Sequence, residues 1–327
     1  MEMTINLAAL RRNADKIIKQ SKTRLCAVVK CNAYGHGDVE CAKALADKAD
    51  CFAVADIYEA KRLSLAGIKN DILILSGVFD GDVHPDNFIF TAFDDESLIS
   101  LLHANRRFAL KIDTGMHRLG FSPKQCANIF PLLPADRIHS VFSHIYDISS
   151  LKCQYEEFVA LTKNFPVKKH IFASNFSSLA DRLDYVRCGI ALYGYGALNL
   201  EKVMRLTADV ISVRKVRGGD NVGYGICPVE RAMNIATIDI GYGDGFRRKG
   251  KGETRTVLYA GGRCRVVGQI CMDLSMIEAP YTIKKGQSVE ILGEEFSAAD
   301  IAKEWNTCEY EVLVSLGHCR AKRVYIN

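Results

Sequence analysis

Arg24–Lys30 reads RLCAVVK, a short apolar run ending in a lysine, and runs of the same kind return seven more times. They are Cys51–Asp56 (CFAVAD), Asp71–Gly77 (DILILSG), Asn87–Phe93 (NFIFTAF), Arg107–Asp113 (RFALKID), His139–Ile145 (HSVFSHI), His170–Ser174 (HIFAS) and Tyr185–Ile190 (YVRCGI). Near-continuous Val/Ile/Leu/Phe runs are the pattern of strands covered on both faces. Amphipathic spacing between them predicts helices over Asp38–Ala49, Ile57–Leu65, Asp94–Asn105 and Leu151–Asn164, with Asp38 and Asp94 in N-cap positions. Eight strands alternating with helices predict an α/β fold, a (β/α)8 TIM barrel, with an open doubly wound sheet as the competitor. Two observations favour the barrel. No glycine-rich dinucleotide fingerprint follows the first strand. Polar, potentially reactive residues recur at the strand C-terminal ends: Lys30, Asp113 with Arg118, His144, Ser174 and Gly189. In a barrel those ends share one mouth, where barrel enzymes do their chemistry.

Working outward, the texture changes near Met204. Short Val/Ile/Thr runs now sit between Gly turns, as in MNIATIDIGYGDG and RCRVVGQICMDLSMIEA, and predict a mainly β C-terminal domain. One helix is expected over Ser297–Trp305, and a final strand at Arg323–Tyr325. The domains are placed at 1–207 and 208–327, with the first strand, about residues 1–8, free to pack with the second. A length of 327 residues suits two domains.

Composition removes several classes. Hydrophobic residues make up 48% and charged residues 25%, which excludes a disordered chain. The net charge of +5 is small, and the longest basic patch, Arg247-Arg248-Lys249 with Lys251, is short, so no nucleic-acid partner is expected. No apolar stretch approaches the roughly 18 residues of a membrane span. Twelve cysteines are scattered without C-x2-C spacing, so neither a disulfide framework nor a metal site is expected. The N-terminus does not read as a secretory signal, and together these features predict a cytoplasmic protein with reduced thiols.

The residues able to do chemistry fall in a few segments. Lys30 closes a buried strand, where an ammonium is costly unless it is paired, neutral, covalently used, or snorkels out of the barrel mouth. A neutral or Schiff-base-forming lysine suits attack on a carbonyl, including that of pyridoxal phosphate. Lys111 and Asp113 lie two residues apart on one strand face, and Arg118 follows in a Gly-flanked loop. There a guanidinium fork either binds a carboxylate or forms a surface ion pair. His144 is a catalytic-site or a structural histidine. Ser174 and the amides of Gly189 and Ile190 end the last two strands, where barrels commonly bind phosphate. Arg187, inside an apolar strand, needs an acceptor: a cofactor ring nitrogen, a histidine or a carboxylate. In the β domain, Gly241–Phe246 and Gly268–Asp273 read first as turns. Tyr242 is an acid–base candidate if a cation lies near it. Cys271 has no adjacent histidine to make it a nucleophile.

The segments AVVKCNAYGHG, DTGMHRLG, RCGIALYG, GYGDG and QICMD, in this order, resemble the bacterial alanine racemases, and the resemblance runs from Ile5-Asn6-Leu7 to Arg320–Tyr325. It implies an isomerase that interconverts L- and D-alanine for peptidoglycan by a two-base mechanism on pyridoxal 5'-phosphate. Lys30 would hold the cofactor as an internal aldimine and act on one substrate face. Tyr242 would act on the opposite face, from the partner subunit of a homodimer with composite sites. Arg187 would contact the pyridine nitrogen, with His144 orienting it. Tyr34, Ser174, Gly189 and Ile190 would bind the phosphate. Arg118 and the amide of Met272 would hold the substrate carboxylate, and Lys111 matches a position often carbamylated in that family. The sequence departs from it in two places. His318 or Cys319 stands where a tyrosine is usual, and Ala173 where asparagine often precedes the serine. The first departure admits serine or other small amino acids as substrates. A decarboxylase of the same plan, or a non-catalytic pyridoxal-phosphate carrier, fits less of the chain.

Overall fold

The computed structural model describes residues 1–76, 79–196, 198–250 and 252–327, and the backbone alone of Arg182. Gly77, at the end of the third run's predicted strand, and Lys251, of the basic patch, lie outside the described residues. The chain forms two compact units. One comprises Leu10–Ala33 with Gly37–Glu201. The other comprises Met1–Ala9, Tyr34–His36 and Lys202–Asn327.

Strand β1 (Glu2–Asn6) belongs to the second unit. The first unit contains β2 (Arg24–Val28), β3 (Cys51–Val54), β4 (Asp71–Ile74), β5 (Phe88–Ala92), β6 (Phe108–Lys111), β7 (Ile138–Phe142), β8 (Lys168–His170) and β9 (Tyr185–Cys188). All pair in parallel, in the order β8-β7-β6-β5-β4-β3-β2-β9. An Ala173–Arg187 bridge between the ends of the row closes it into the barrel. Every predicted run supplies a strand, and the apolar side chains of β3, β4 and β5 are buried throughout. One run is displaced: pairing in β8 stops at His170, and Ile171–Ala173 continues as irregular chain.

The helix starts follow side-chain chemistry. Asp94 accepts from the Ser97 amide at 2.8 Å and starts Asp95–His103 in a capping box. Asp56 caps Ile57–Leu65 by accepting from the Tyr58 and Glu59 amides. Asp38 does not cap its helix. Gly37, with φ of 100°, takes the cap position, and Asp38 is the first helical residue, its carboxylate paired with Arg62 at 2.5 Å. The reason lies just upstream. Cys31, Asn32, Ala33 and Tyr34 all have φ of 53–54°, a left-handed turn that the chain leaves through Gly35 (φ 85°) and Gly37 (φ 100°). Each L-residue there costs about 1–2 kcal/mol. The turn is held by Ala33 N–H to Val29 C=O (2.8 Å) and Gly37 N–H to Asn32 C=O (2.9 Å).

In the second unit, β10 (Met204–Val216), β11 (Met233–Ile238), β12 (Thr256–Tyr259), β13 (Gly262–Val267), β14 (Ser275–Ala279) and β15 (Ser288–Leu292) form an antiparallel ring. It closes because the long β10 pairs with both β11 and β15. β1 adds to β10, and β16 (Lys322–Ile326) adds to β1 in parallel. Because β10 is continuous from Met204, residues 202–207 fall in this unit rather than in the barrel, where the sequence reading ends at 207. Ser297 caps the expected helix, Ala298–Trp305. A second helix, Glu309–Gly317, occupies a stretch with no predicted helix. Among the described residues no helix is long and apolar enough to cross a membrane.

Candidate active site

At the C-terminal ends of the barrel strands, four cations lie close enough to act on common neighbours. Burial and the charges of Arg118, Arg187 and Lys30 draw the Lys111 amine down to about 8, with Asp113 opposing them. Burial and the same cations, with Lys111 among them, push the His144 ring down to about 3, so it is neutral. Among the described residues, Lys30, Lys111, Arg118 and Arg187 form no ion pair. Asp113 is near but committed: its carboxylate accepts from the Gly115 and His117 amides, both at 3.0 Å, and shapes the loop that carries Arg118. A cluster of cations without a counter-charge is costly, and its donor chemistry fits an anionic occupant.

Arg187 is the most constrained. Its Nη1 donates to His170 Nδ1 at 2.5 Å and to the His170 carbonyl at 3.1 Å. Its Nη2 donates to the Ser143 carbonyl at 2.5 Å and lies 3.4 Å from His144 Nδ1. Burial draws the guanidinium down to about 10, so it stays charged at neutral pH. Phe142 forms a platform between these groups. It stacks on His170 at 5.1 Å and lies under both Arg187 (5.1 Å) and Lys111 (5.9 Å). The sequence reading names His144 as the partner of Arg187. His170 makes the tighter bond, and neither it nor Phe142 is identified from sequence. The period-2 alternation that buries both side chains is the signal that could have found them.

Beside this cluster, the Ser174 hydroxyl oxygen accepts from the amides of Gly189 (3.1 Å) and Ala191 (3.2 Å). Its own proton remains available to donate. The Ile190 amide has no partner among the described residues. A hydroxyl and a free amide on one loop suit a phosphate oxygen. The donors here, a free lysine amine, an arginine held edge-on, and hydroxyl and amide N–H groups, fit pyridoxal phosphate: an aldehyde, a ring nitrogen and a phosphate.

The second unit brings its own residues together. Tyr242 N–H donates to the Cys271 carbonyl at 3.0 Å, and Gly243 N–H to the Met272 carbonyl at 2.8 Å. The two loops approach so closely that a Cβ on Gly241 would lie 2.2 Å from the Met272 oxygen. Tyr242 is 42% and Met272 57% exposed, and the Met272 amide has no partner among the described residues. A residue the sequence reading gives no role fastens the loops. Arg320 Nε donates to the buried Asp244 carboxylate at 3.0 Å, and its Nη2 to the Asp273 carbonyl at 3.0 Å. Arg320→Ala strips a buried carboxylate of its charged partner. Thermal unfolding should show a loss of about 1–3 kcal/mol. Tyr34 is buried in this unit, its ring 6.0 Å from that of Tyr310. His318 is exposed, and Cys319 is buried with its thiol pushed up by desolvation. Cys271 Sγ lies 3.7 Å from the Gln269 carbonyl.

The depressed Lys111 makes a signed prediction. Its protonated form is disfavoured in the folded state, so below pH 8 the penalty is full, and it fades as pH rises from about 8 toward the ordinary lysine value. In CO2-free buffer, where Lys111 is a free amine, cofactor-free Lys111→Met should therefore be more stable than the parent at pH 7. The difference in Tm should shrink between pH 8 and 10. A constant gap would contradict a cationic Lys111 in this cluster.

The alanine racemase N-terminal domain profile matches residues 5–197, and the C-terminal domain profile matches residues 203–325. The biosynthetic alanine racemase of Escherichia coli is 33% identical over 346 residues, covering 96% of each chain. The Pseudomonas fluorescens alanine racemase is 33% identical, covering 95% of each. Among solved structures, Pseudomonas aeruginosa biosynthetic alanine racemase superposes with a TM-score of 0.90 at 29% identity, over 100% of this chain and 99% of that one. The Bartonella henselae enzyme, solved with covalently bound pyridoxal phosphate, gives 0.87 at 30% identity, over 99% of both. With both domain profiles matched in order across a barrel and a β unit that each carry the expected motifs, the chain belongs to the alanine racemase family.

Proposed function

We propose that this protein is a pyridoxal-phosphate-dependent isomerase that interconverts L- and D-alanine, with Lys30 and Tyr242 as its two acid–base groups. The observation that carries this reading is the unpaired Lys30 among three further cations at the barrel mouth, in a chain whose whole length matches alanine racemases. When bound, pyridoxal phosphate supplies an electron sink that lowers the cost of removing the substrate Cα proton. Racemisation needs a proton taken from one face of Cα and another delivered to the opposite face. Lys30 serves one face through Nζ, and Tyr242 the other through its hydroxyl. Arg118 and the Met272 amide hold the substrate carboxylate. Ser174, Gly189, Ile190 and Tyr34 hold the phosphate. Arg187 meets the ring nitrogen as a donor that does not surrender its proton, and His144 lies beside it. By keeping its own proton, Arg187 would limit the charge withdrawn through that nitrogen and so suppress side reactions. Lys111, with its amine drawn down to about 8, has a neutral fraction able to add to the carbon of CO2, releasing one proton to solvent. The resulting carbamate becomes an anionic partner for Arg118.

The working unit in this reading is a homodimer in which Tyr242 and Met272 reach the partner's barrel. Their exposure, and the Met272 amide's lack of a partner among the described residues, support it. A cytoplasmic setting and a supply of D-alanine to peptidoglycan belong to the same reading, and twelve free cysteines suit a reducing compartment. A broader racemase has one observation in its favour, His318 and Cys319 where the family's tyrosine is usual. One screen tests both. Each L-amino acid is incubated with the protein and pyridoxal phosphate and its enantiomers are separated. Alanine racemised fastest supports the first reading, serine faster than alanine favours the second, and racemisation of neither refutes both.

A further inference from the structure

Behind Arg187 a line of buried polar groups crosses the barrel interior. His170 Nε2 lies 3.0 Å from Ser140 Oγ, and Ser140 Oγ lies 3.1 Å from His139 Nδ1. His139 Nε2 lies 3.3 Å from Asp71 Oδ2, within ion-pair range though angled off a straight hydrogen bond. Asp71 in turn accepts from Arg107 Nη2 at 3.1 Å at the strand N-terminal rim. His139, Ser140, His170 and Arg187 are each 6% exposed or less. Hydrophobic residues normally fill this space, so four polar side chains need a reason beyond packing.

Hydrogen-bond arithmetic fixes the direction of the line. A guanidinium only donates, so the Nδ1 of His170 facing Arg187 is a lone pair. Burial, with the charge of Arg187 beside it, holds His170 well below the ordinary histidine value, hence neutral, with its proton on Nε2. That N–H donates to Ser140. Ser140 then has its own proton to give, and the acceptor within reach is His139 Nδ1. With Nδ1 accepting from Ser140, His139 turns Nε2 toward the Asp71 carboxylate. Every donor points from Arg187 toward Asp71. The rings are fixed by packing, Phe142 flat on His170 and Tyr185 at 6.1 Å on His139, so tautomer choice is left to these bonds.

We propose that Ser140 and His139 are positioning residues for Arg187: by fixing the tautomer of His170 they keep its Nδ1 an acceptor and hold the guanidinium in place. The consequence for turnover rests on the reading that Arg187 faces the cofactor's ring nitrogen, whereas the tautomer itself does not. If His170 moved its proton to Nδ1, that N–H would face the Arg187 N–H groups, and the guanidinium would lose its closest acceptor.

The test is 15N NMR of histidine-labelled protein, with and without pyridoxal phosphate, alongside a titration of pyridoxal-phosphate binding. The parent is expected to show His170 neutral and protonated on Nε2. Ser140→Ala should give mixed His170 tautomers and weaken cofactor binding about fivefold to tenfold, and Ser140→Thr, which keeps the hydroxyl, should restore both. Because Ser140 is fully buried, Asp71→Asn at the rim is the second variant. Its amide can donate to His139 Nε2, which reverses the end of the line, so His170 should again become mixed. A parent His170 protonated on Nδ1, or a His170 tautomer unmoved in both Ser140→Ala and Asp71→Asn, overturns the proposal. Failure of the functional reading is separable: the parent would then bind no pyridoxal phosphate while the tautomer signals still changed as described.

Discussion

Lys30→Ala will remain folded, take on no visible absorption with pyridoxal phosphate, and lose racemisation by roughly 10^4-fold or more, because in the proposed function one substitution removes both the covalent tether and an acid–base group. Folding should not suffer. Lys30 has no side-chain hydrogen bond or ion pair among the described residues, and it stands beyond the last paired residue of β2, Val28. Its charge is unfavourable to its surroundings, since it helps depress both Lys111 and His144. Removing it leaves three cations instead of four, so the Tm of the cofactor-free variant should equal or exceed the parent's. Absorption spectroscopy and thermal unfolding on the same sample separate the two effects. A variant that keeps the visible absorption refutes the assignment of Lys30, and one that loses both absorption and fold leaves Lys30 structural.

Much of this molecule could be read from its sequence for a physical reason. Strands buried on both faces must be continuously apolar, and residues at their C-terminal ends converge when the sheet closes. Lys30, Arg118, His144 and Ser174 are therefore legible in the sequence as one rim. What escaped depends on register or on long separation. The line from Arg187 to Asp71 exists because β4, β7, β8 and β9 bring His139, Ser140 and His170 to one level of the barrel interior, and nothing in HSVFSHI alone announces it. Arg320 fastens GYGDG to QICMD across 76 residues of chain. The left-handed turn over Cys31–Tyr34 has no glycine to signal positive φ, and it shifts the helix cap from Asp38 to Gly37. Glu309–Gly317 carries little helical signal of its own, because Val312, Leu313 and Leu316 continue the apolar texture of the β unit.

Tyr242→Phe should keep the visible absorption and the fold while racemisation falls by about 10^2–10^4-fold, the range for loss of one acid–base group. The substitution removes a single hydroxyl. The ring's position is set by backbone, through the Tyr242 amide to Cys271, the Gly241 amide to Asp244, and the tight Gly241–Met272 approach, none of which the hydroxyl supports. The defect should be one-sided. In deuterated water, the alanine enantiomer whose Cα proton faces Lys30 should still exchange, whereas its mirror image should not. Equal loss for both enantiomers would mean that Tyr242 has a role other than serving one face. The same variant tests the shared site. In the proposed homodimer, Lys30→Ala and Tyr242→Phe should each be nearly inactive alone, yet a mixed dimer holds one site with both residues intact if Tyr242 comes from the partner. Unfolding and refolding the two together should then recover activity toward a quarter of the parent's, since half of the dimers are mixed and each has one good site of two. If Tyr242 instead serves the barrel of its own chain, every site in every dimer lacks one group, and confirmed mixed dimers will stay inactive.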